Sequence, residues 1–319
     1  MGLGEAVSEQ HTMSRIYRWL RLTLVLSFLL IALGGTVRVT QSGLSCPDWP
    51  FCFGKLFPQF NFQIFMEWFH RAVAGVVTIL FTVISIGILR VESLRRHFRA
   101  PLIIGAGILA IQVVLGGLTV LMLLSPKIVA AHLTNGLLFF GLILFMTVKA
   151  RIGGGKPSPR NGLTPRLIFA IALLPMMVLT QIYLGGMVSS SHAGLACPDF
   201  PTCRGSFWPQ DAGFQVLLQM THRYLAFVVL AYGFLVRYVS QRYFVPMKIS
   251  LLLRAIPSLV LMQITLGLLN IMMKLPLWAS VAHLGLAVLV FAKAKGTIII
   301  LSLAFANNPR LGLLYTPYL

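Results

Sequence analysis

Four histidines form two pairs that repeat along the chain: His70 with His132, and His222 with His283. Each falls near the start of a long apolar segment, where an ionisable side chain is costly and usually has a partner inside the protein. Two neutral imidazoles on facing helices can ligate a haem iron axially while the helices bury the porphyrin. The pattern therefore predicts two haem sites, each with two histidine ligands to the iron.

Zinc and covalently attached haem account for these histidines less well. Zinc normally takes three or four protein ligands, whereas each half of the chain offers two histidines and at most one carboxylate. A covalent c-type haem requires a Cys-x-x-Cys-His motif, which the sequence lacks. The simplest alternative is a hydrogen bond from each histidine to a neighbouring helix. His11, His97 and His192 are interpreted as surface residues.

Glu67 distinguishes the first half from the second. It lies three residues before His70, so the two side chains share a helix face, and its counterpart in the second half is Gln219. Three further polar residues of the first half have plainer counterparts: Arg38 with Ser189, Thr134 with Gly285, and Asn135 with Leu286. This asymmetry predicts that the first half converts a substrate while the second holds a permanent haem. Alternatively, Glu67 only accepts a hydrogen bond from a neighbouring helix or from Arg71.

Arg71 and Arg223 directly follow the first histidine of each pair. They are candidate cofactor-binding residues, because a guanidinium group can form charge-assisted bonds with haem propionates. They could equally extend toward lipid headgroups.

The four cysteines form two Cys-x5-Cys pairs in the two long connections on the outer side. The compartment outside is normally oxidising, and the Pro and Asp between the cysteines favour a tight turn. We therefore predict the disulfides Cys46–Cys52 and Cys197–Cys203. Each is interpreted as a structural staple, with a redox-active pair as the alternative.

The elements that position these residues are membrane helices. The 319 residues are 57% hydrophobic and 10% charged, against about 25% charged residues in a soluble domain. Apolar runs of roughly the 20 residues needed to cross hydrocarbon occur at 17–37, 67–89, 101–123, 129–148, 166–188, 216–238, 249–272 and 278–300. The sequence predicts an all-α integral membrane protein with eight transmembrane helices in two pseudo-symmetric four-helix bundles. Lys293 and Lys295 interrupt the last run before Gly296, where its helix could end.

The basic residues behind the +19 net charge collect in alternate connections. This positive-inside pattern argues against nucleic acid binding and places both termini in the cytoplasm of a cell-membrane protein. The first run is interpreted as a retained helix, not a cleaved signal peptide. The predicted segments are a cytoplasmic tail (1–16), an N-terminal half (17–150), a cytoplasmic linker (151–165), a C-terminal half (166–303) and a C-terminal tail (304–319).

An internal repeat relates the two halves. The motif Gly43-Leu-Ser-Cys-Pro-Asp-Trp-Pro-Phe-Cys recurs 151 residues later from Gly194, and His132 and His283 keep that offset. Because an even number of spans leaves both halves in the same orientation, their symmetry axis should follow the membrane normal. The repeated glycines are interpreted as helix-packing positions: Gly34, Gly35, Gly116, Gly185, Gly186 and Gly267.

The combination of Glu67-Trp-Phe-His-Arg71, the two Cys-Pro-Asp-x-Pro-x-Cys loops, and the Ala-His pairs at 131–132 and 282–283 resembles the haem A synthase family. The resemblance covers about residues 17–300. It implies oxidation of a haem O ring methyl to the formyl group of haem A, through a hydroxymethyl intermediate, for terminal oxidases. It also implies haem b at His222 and His283, catalytic roles for Glu67, His70 and His132, and contact with a haem O synthase. The resemblance implies no particular electron donor.

Two mechanistic routes stay open, because an iron with both histidines bound has no free position. Either one histidine dissociates, or electrons and protons leave first and water then attacks. A di-haem electron-transfer cytochrome is the main alternative function, and a transporter is another, since duplicated bundles are common among carriers.

Overall fold

The computed structural model describes residues 3–152, 164–210, 212–243, 245 and 247–306. These contain eight long α-helices: α1 (Leu3–Val39), α2 (Phe62–Leu89), α3 (Glu92–Leu121), α4 (Pro126–Ile152), α5 (Pro165–Ser190), α6 (Phe214–Ser240), α7 (Met247–Met272) and α8 (Leu277–Ala306). A short 3-10 turn, Ala193–Leu195, precedes the second disulfide loop. All eight helices are long and apolar enough to cross a membrane. The predicted all-α, eight-span architecture is confirmed.

Several helices extend beyond the apolar runs. α1 begins at Leu3 instead of residue 17, and α3 begins at Glu92 instead of 101. α8 continues through Gly296 to Ala306, so it does not end at its lysines. Backbone hydrogen bonding does not require apolar side chains, so a helix can continue past the hydrocarbon boundary. The Gly-Pro-rich run at 153–159 and residues 307–319 lie outside the described residues.

Each set of four helices forms a ring. α1 packs against α2 and α4, and α3 completes the ring between α2 and α4. α5, α6, α7 and α8 repeat this arrangement. Because α2 and α4 occupy opposite corners of the first ring, and α6 and α8 of the second, residues on these helices can face each other across an interior.

The two rings meet through α1, α4, α5 and α8. Helix α1 packs against α8, and α4 packs against α5. These two contacts are equivalent, because the repeat relates α1 to α5 and α4 to α8. Helix α4 also packs against α8. Phe140 and its repeat counterpart Phe291 are both buried in a shared apolar cluster. Phe291 lies against Gly141, where an added Cβ would be 3.3 Å from the ring. The contacts between the two rings are thus related by the internal repeat.

Candidate functional site

The four paired histidines lie one on each of α2, α4, α6 and α8, toward the end of each helix that adjoins the outer connections. His70 and His132 therefore occupy opposite corners of the first ring. His222 and His283 do so in the second. All four side chains are partly buried.

Each histidine ring lies against a glycine of the preceding helix. A Cβ added to Gly34, Gly116, Gly185 or Gly267 would lie 3.0, 3.4, 3.0 and 2.9 Å from Cε1 of His70, His132, His222 and His283, respectively. We call each of these contacts a glycine notch. Because a larger side chain would meet the imidazole, the notch lets a helix backbone approach the ring and fixes its position.

The repeated glycines all lie at contacts between helices, as predicted, but the contacts are of two kinds. Gly35 and Gly186 do pack between the rings, the former against Leu284 and the latter against Leu133 and Ala130. The preceding glycine of each doublet faces a histidine instead, because consecutive helix residues point about 100° apart. The recurrence of both residue types is the sequence signal that could have paired these glycines with the histidines: the glycines and His132/His283 repeat after 151 residues, and His70/His222 after 152.

The histidine nitrogens fit an axial ligand role. The Nδ1 atoms of all four rings are buried and have no hydrogen-bond partner among the described residues. Within the same residues, the Nε2 atoms of His70, His222 and His283 also lack a partner but are not enclosed. An accessible Nε2 atom without a partner keeps its lone pair free for a haem iron. In the described part of the chain, no three His, Cys, Asp or Glu side chains converge as zinc would require.

Glu67 is buried beneath the first disulfide loop. Its Oε2 accepts a hydrogen bond from the backbone N–H of Cys46 at 2.8 Å, and its Oε1 pairs with Arg71 Nη2 at 2.6 Å. In the second half, Gln219 Nε2 instead donates to the carbonyl of Gly194 at 3.2 Å. Glu67 therefore accepts a hydrogen bond from Arg71, which was the simpler of the two roles expected for it. Its bond to Cys46 also links α2 to the first disulfide loop.

Arg71 and Arg223 anchor the two disulfide loops. Arg71 Nη1 donates to the carbonyls of Asp48 and Phe51 at 2.7 and 2.5 Å. Arg223 donates to three loop carbonyls, those of Asp199, Thr202 and Cys197, at 2.7, 2.8 and 2.6 Å. These bonds engage both terminal nitrogens of each guanidinium group, so the contacts give no support to the predicted role in binding haem propionates.

The two outer loops have nearly identical internal bonding. Both disulfides, Cys46–Cys52 and Cys197–Cys203, are present. Asp48 accepts from the backbone N–H groups of Phe53 and Gly54, and these bonds, the Gly54 bond first, lower its pKa. Asp199 accepts equivalent bonds from Gly205 and Arg204 and one from the Thr202 hydroxyl, which together hold its pKa well below the usual range.

The remaining polar residues of the first half have different surroundings. Arg38 Nη2 donates to the carbonyl of Ser189 at 2.6 Å and lies 3.4 Å from His192 Nε2, so it joins the two rings. Thr134 donates to the Ala130 carbonyl of its own helix. Neither residue therefore forms a hydrogen bond with His70 or His132, although the asymmetry between the halves had suggested a role beside this pair. Asn135 is linked to His132 indirectly: it donates a hydrogen bond to Gln112 at 2.7 Å, and Gln112 lies beside the His132 ring.

Comparison with known proteins identifies the family of this chain. The COX15-CtaA family, described as cytochrome oxidase assembly protein, matches residues 17–294. The chain belongs to this family. A haem A synthase of Shewanella oneidensis is 31% identical over 315 residues, covering 85% of this chain and 92% of the relative.

Two further relatives extend the comparison. Haem A synthases of Methylobacterium radiotolerans and Geobacillus thermodenitrificans are each 29% identical, over 86% and 85% of this chain and 87% of each relative. Because the family model and these relatives span nearly all of the eight helices, the predicted membership of the haem A synthase family is confirmed.

Proposed function

We propose that this chain is a haem A synthase, an oxidoreductase that converts a ring methyl of haem O to a formyl group by successive hydroxylations. The family assignment and the shared name of its relatives support the reaction. Among the residues, the repeated pairing of a histidine with a glycine notch on four helices carries the proposal. This arrangement presents two imidazoles to each ring interior, as bis-histidine haem binding requires.

The second half is the proposed haem b site, where His222 and His283 would hold the haem iron. Haem b supplies a one-electron redox centre when it is bound. Gln181 Nε2 donates to the His222 carbonyl at 2.8 Å, and Gln263 Nε2 to the His283 carbonyl at 2.9 Å. These bonds between helices hold the backbone at both histidines, which suits a site that keeps its cofactor.

The first half is the proposed substrate site, with haem O between His70 and His132. Glu67 is the proposed proton acceptor for the oxidised methyl, since it lies one helical turn from His70 on the same face. Arg71 and the Cys46 N–H fix both carboxylate oxygens.

The arrangement of the chain in the membrane supports a role in supplying haem A to a terminal oxidase. The eight helices make this a multi-pass membrane protein, and the distribution of basic residues supports cytoplasmic termini in the cell membrane. Both histidine pairs then lie near the outer face, where an external electron donor could reach haem b. Terminal oxidase assembly is the proposed destination of haem A, and a haem O synthase is the proposed source of the substrate.

Pigment analysis tests the function. Protein co-produced with a haem O synthase is purified, and its pigments are extracted and separated by chromatography. Haem b together with haem O, its hydroxymethyl derivative or haem A is expected. His70→Ala should lose the haem O-derived pigment and keep haem b, whereas His222→Ala should lose haem b. Haem b alone in the unaltered protein would favour an electron-transfer cytochrome, and no haem would favour a transporter.

A further inference from the structure

His132 differs from the other three paired histidines in the surroundings of Nε2. The side-chain nitrogen of Gln112 lies 3.3 Å from this atom. Gln112 Oε1 in turn accepts a hydrogen bond from Asn135 Nδ2 at 2.7 Å, and Asn135 Nδ2 also donates to the backbone carbonyl of Ile108 at 3.0 Å. The nitrogen expected to ligate iron therefore already has a partner in the protein.

The Ile108 carbonyl fixes the direction of this chain of bonds. A carbonyl oxygen only accepts, so the Asn135 atom facing it must be the amide nitrogen. The Gln112 atom facing that nitrogen must then be its oxygen, which turns the Gln112 NH2 group toward His132. The imidazole consequently accepts at Nε2 and carries its proton on Nδ1. This is the tautomer that offers the Nε2 lone pair to a metal.

Gly136 provides the room for this contact. A Cβ on Gly136 would lie 3.3 Å from Gln112 Nε2, tighter than an ordinary contact. In the second half, the counterparts of Asn135 and Gly136 are Leu286 and Ala287. There the equivalent glutamine, Gln263, donates to the histidine backbone carbonyl and not to the ring.

The other histidine of the second half is also held more firmly than its counterpart. Gln181 bonds to the His222 carbonyl, whereas the residue equivalent to Gln181 in the first half is Leu30. The two halves thus share their histidines and glycine notches. They differ in the residues that hold the histidine backbone or engage the ring.

We propose that His132 is the exchangeable axial ligand of the first half and that Gln112 is the positioning residue that stabilises its dissociated state. In the exchange, the bond between iron and Nε2 breaks, and the Nε2 lone pair accepts the N–H of Gln112. No electron or proton is transferred, and one coordination position opens. The inference rests on the proposed function, and it makes ligand dissociation the route available to the first half.

Carbon monoxide binding to the reduced, haem-loaded protein tests the exchange. Carbon monoxide requires an open position on ferrous iron, so its rate of binding reports how readily an axial ligand leaves. The unaltered protein should bind it at the first-half haem. Gln112→Leu and the double change Asn135→Leu with Gly136→Ala should each slow binding about fivefold, the effect of losing one neutral hydrogen bond. Gly107→Ala places a Cβ with nothing within 4 Å on the same helix as Gln112, so it should leave this rate unchanged.

The sign of the effect separates the outcomes. Faster binding in Gln112→Leu would mean that Gln112 only orients the ring for ligation, and it would overturn the proposal. Failure of the unaltered, fully loaded protein to bind carbon monoxide would also overturn it and leave haem A synthesis intact. Pigment extraction from the same samples is the separate check, since absence of haem from the first half would remove the proposed function itself.

Discussion

Replacing Gly267 by alanine should weaken haem b binding in the second half. The new Cβ would lie 2.9 Å from His283 Cε1, whereas ordinary contact begins at 3.4 Å. The ring would therefore have to move by the difference of about 0.5 Å, which is the tolerance within which a ligating group must be held. Overpacking of this kind costs about 1–3 kcal/mol, so haem affinity should fall about 5- to 150-fold.

Two glycines provide matched controls. A Cβ on Gly116 would be 3.4 Å from His132 Cε1, an ordinary contact, so Gly116→Ala should have a much smaller effect on its own site. A Cβ on Gly296 of α8 would meet nothing within 4 Å, so Gly296→Ala reports the effect of an alanine on the same helix as His283.

The assay is the ratio of extracted haem b to protein in detergent, measured across added haem concentrations at matched protein levels. Gly267→Ala should need more haem to reach saturation, and Gly296→Ala should match the unaltered protein. Equal haem b binding by the unaltered protein, Gly267→Ala and Gly296→Ala would refute the argument that the notch positions His283. For Gly116→Ala the pigment measured is haem O in the first half. A loss of this haem as large as the loss of haem b in Gly267→Ala would refute the graded steric effect.

Three further predictions concern Glu67 and the outer loops. Glu67→Gln should retain both haems but lose formyl production, because a neutral amide cannot accept the proton; normal haem A output by chromatography would exclude Glu67 from the reaction. Arg223→Met should speed reduction of the Cys197–Cys203 disulfide by dithiothreitol several-fold, because three loop carbonyls lose their donor; an unchanged rate of thiol labelling would contradict this. The lowered pKa of Asp199 implies that the loop stability this group supplies is fully present above about pH 4, the unfolded value, and is lost as pH falls further; a change in the reduction rate by a pH-insensitive phosphine between pH 8 and 5 would contradict it.

The membrane architecture could be predicted because its signal is local. Eight apolar runs, alternating basic connections and a 151-residue offset are each readable without knowing which helices touch. The disulfides followed from cysteine spacing for the same reason. Helix ends were less predictable, as α1 and α8 show, because hydropathy reports the lipid boundary and not the extent of backbone hydrogen bonding.

The sequence alone determined that four histidines recur at matched positions and that Glu67 lacks a carboxylate counterpart. Only the tertiary structure decided what lies against them. Neighbouring glycines such as Gly34 and Gly35 look alike in sequence, yet one faces His70 and the other faces α8. Gln112 and Gln263 are equivalent by repeat, yet one reaches an imidazole and the other a backbone carbonyl. Such roles depend on which helix packs opposite each face, and no local pattern encodes that contact.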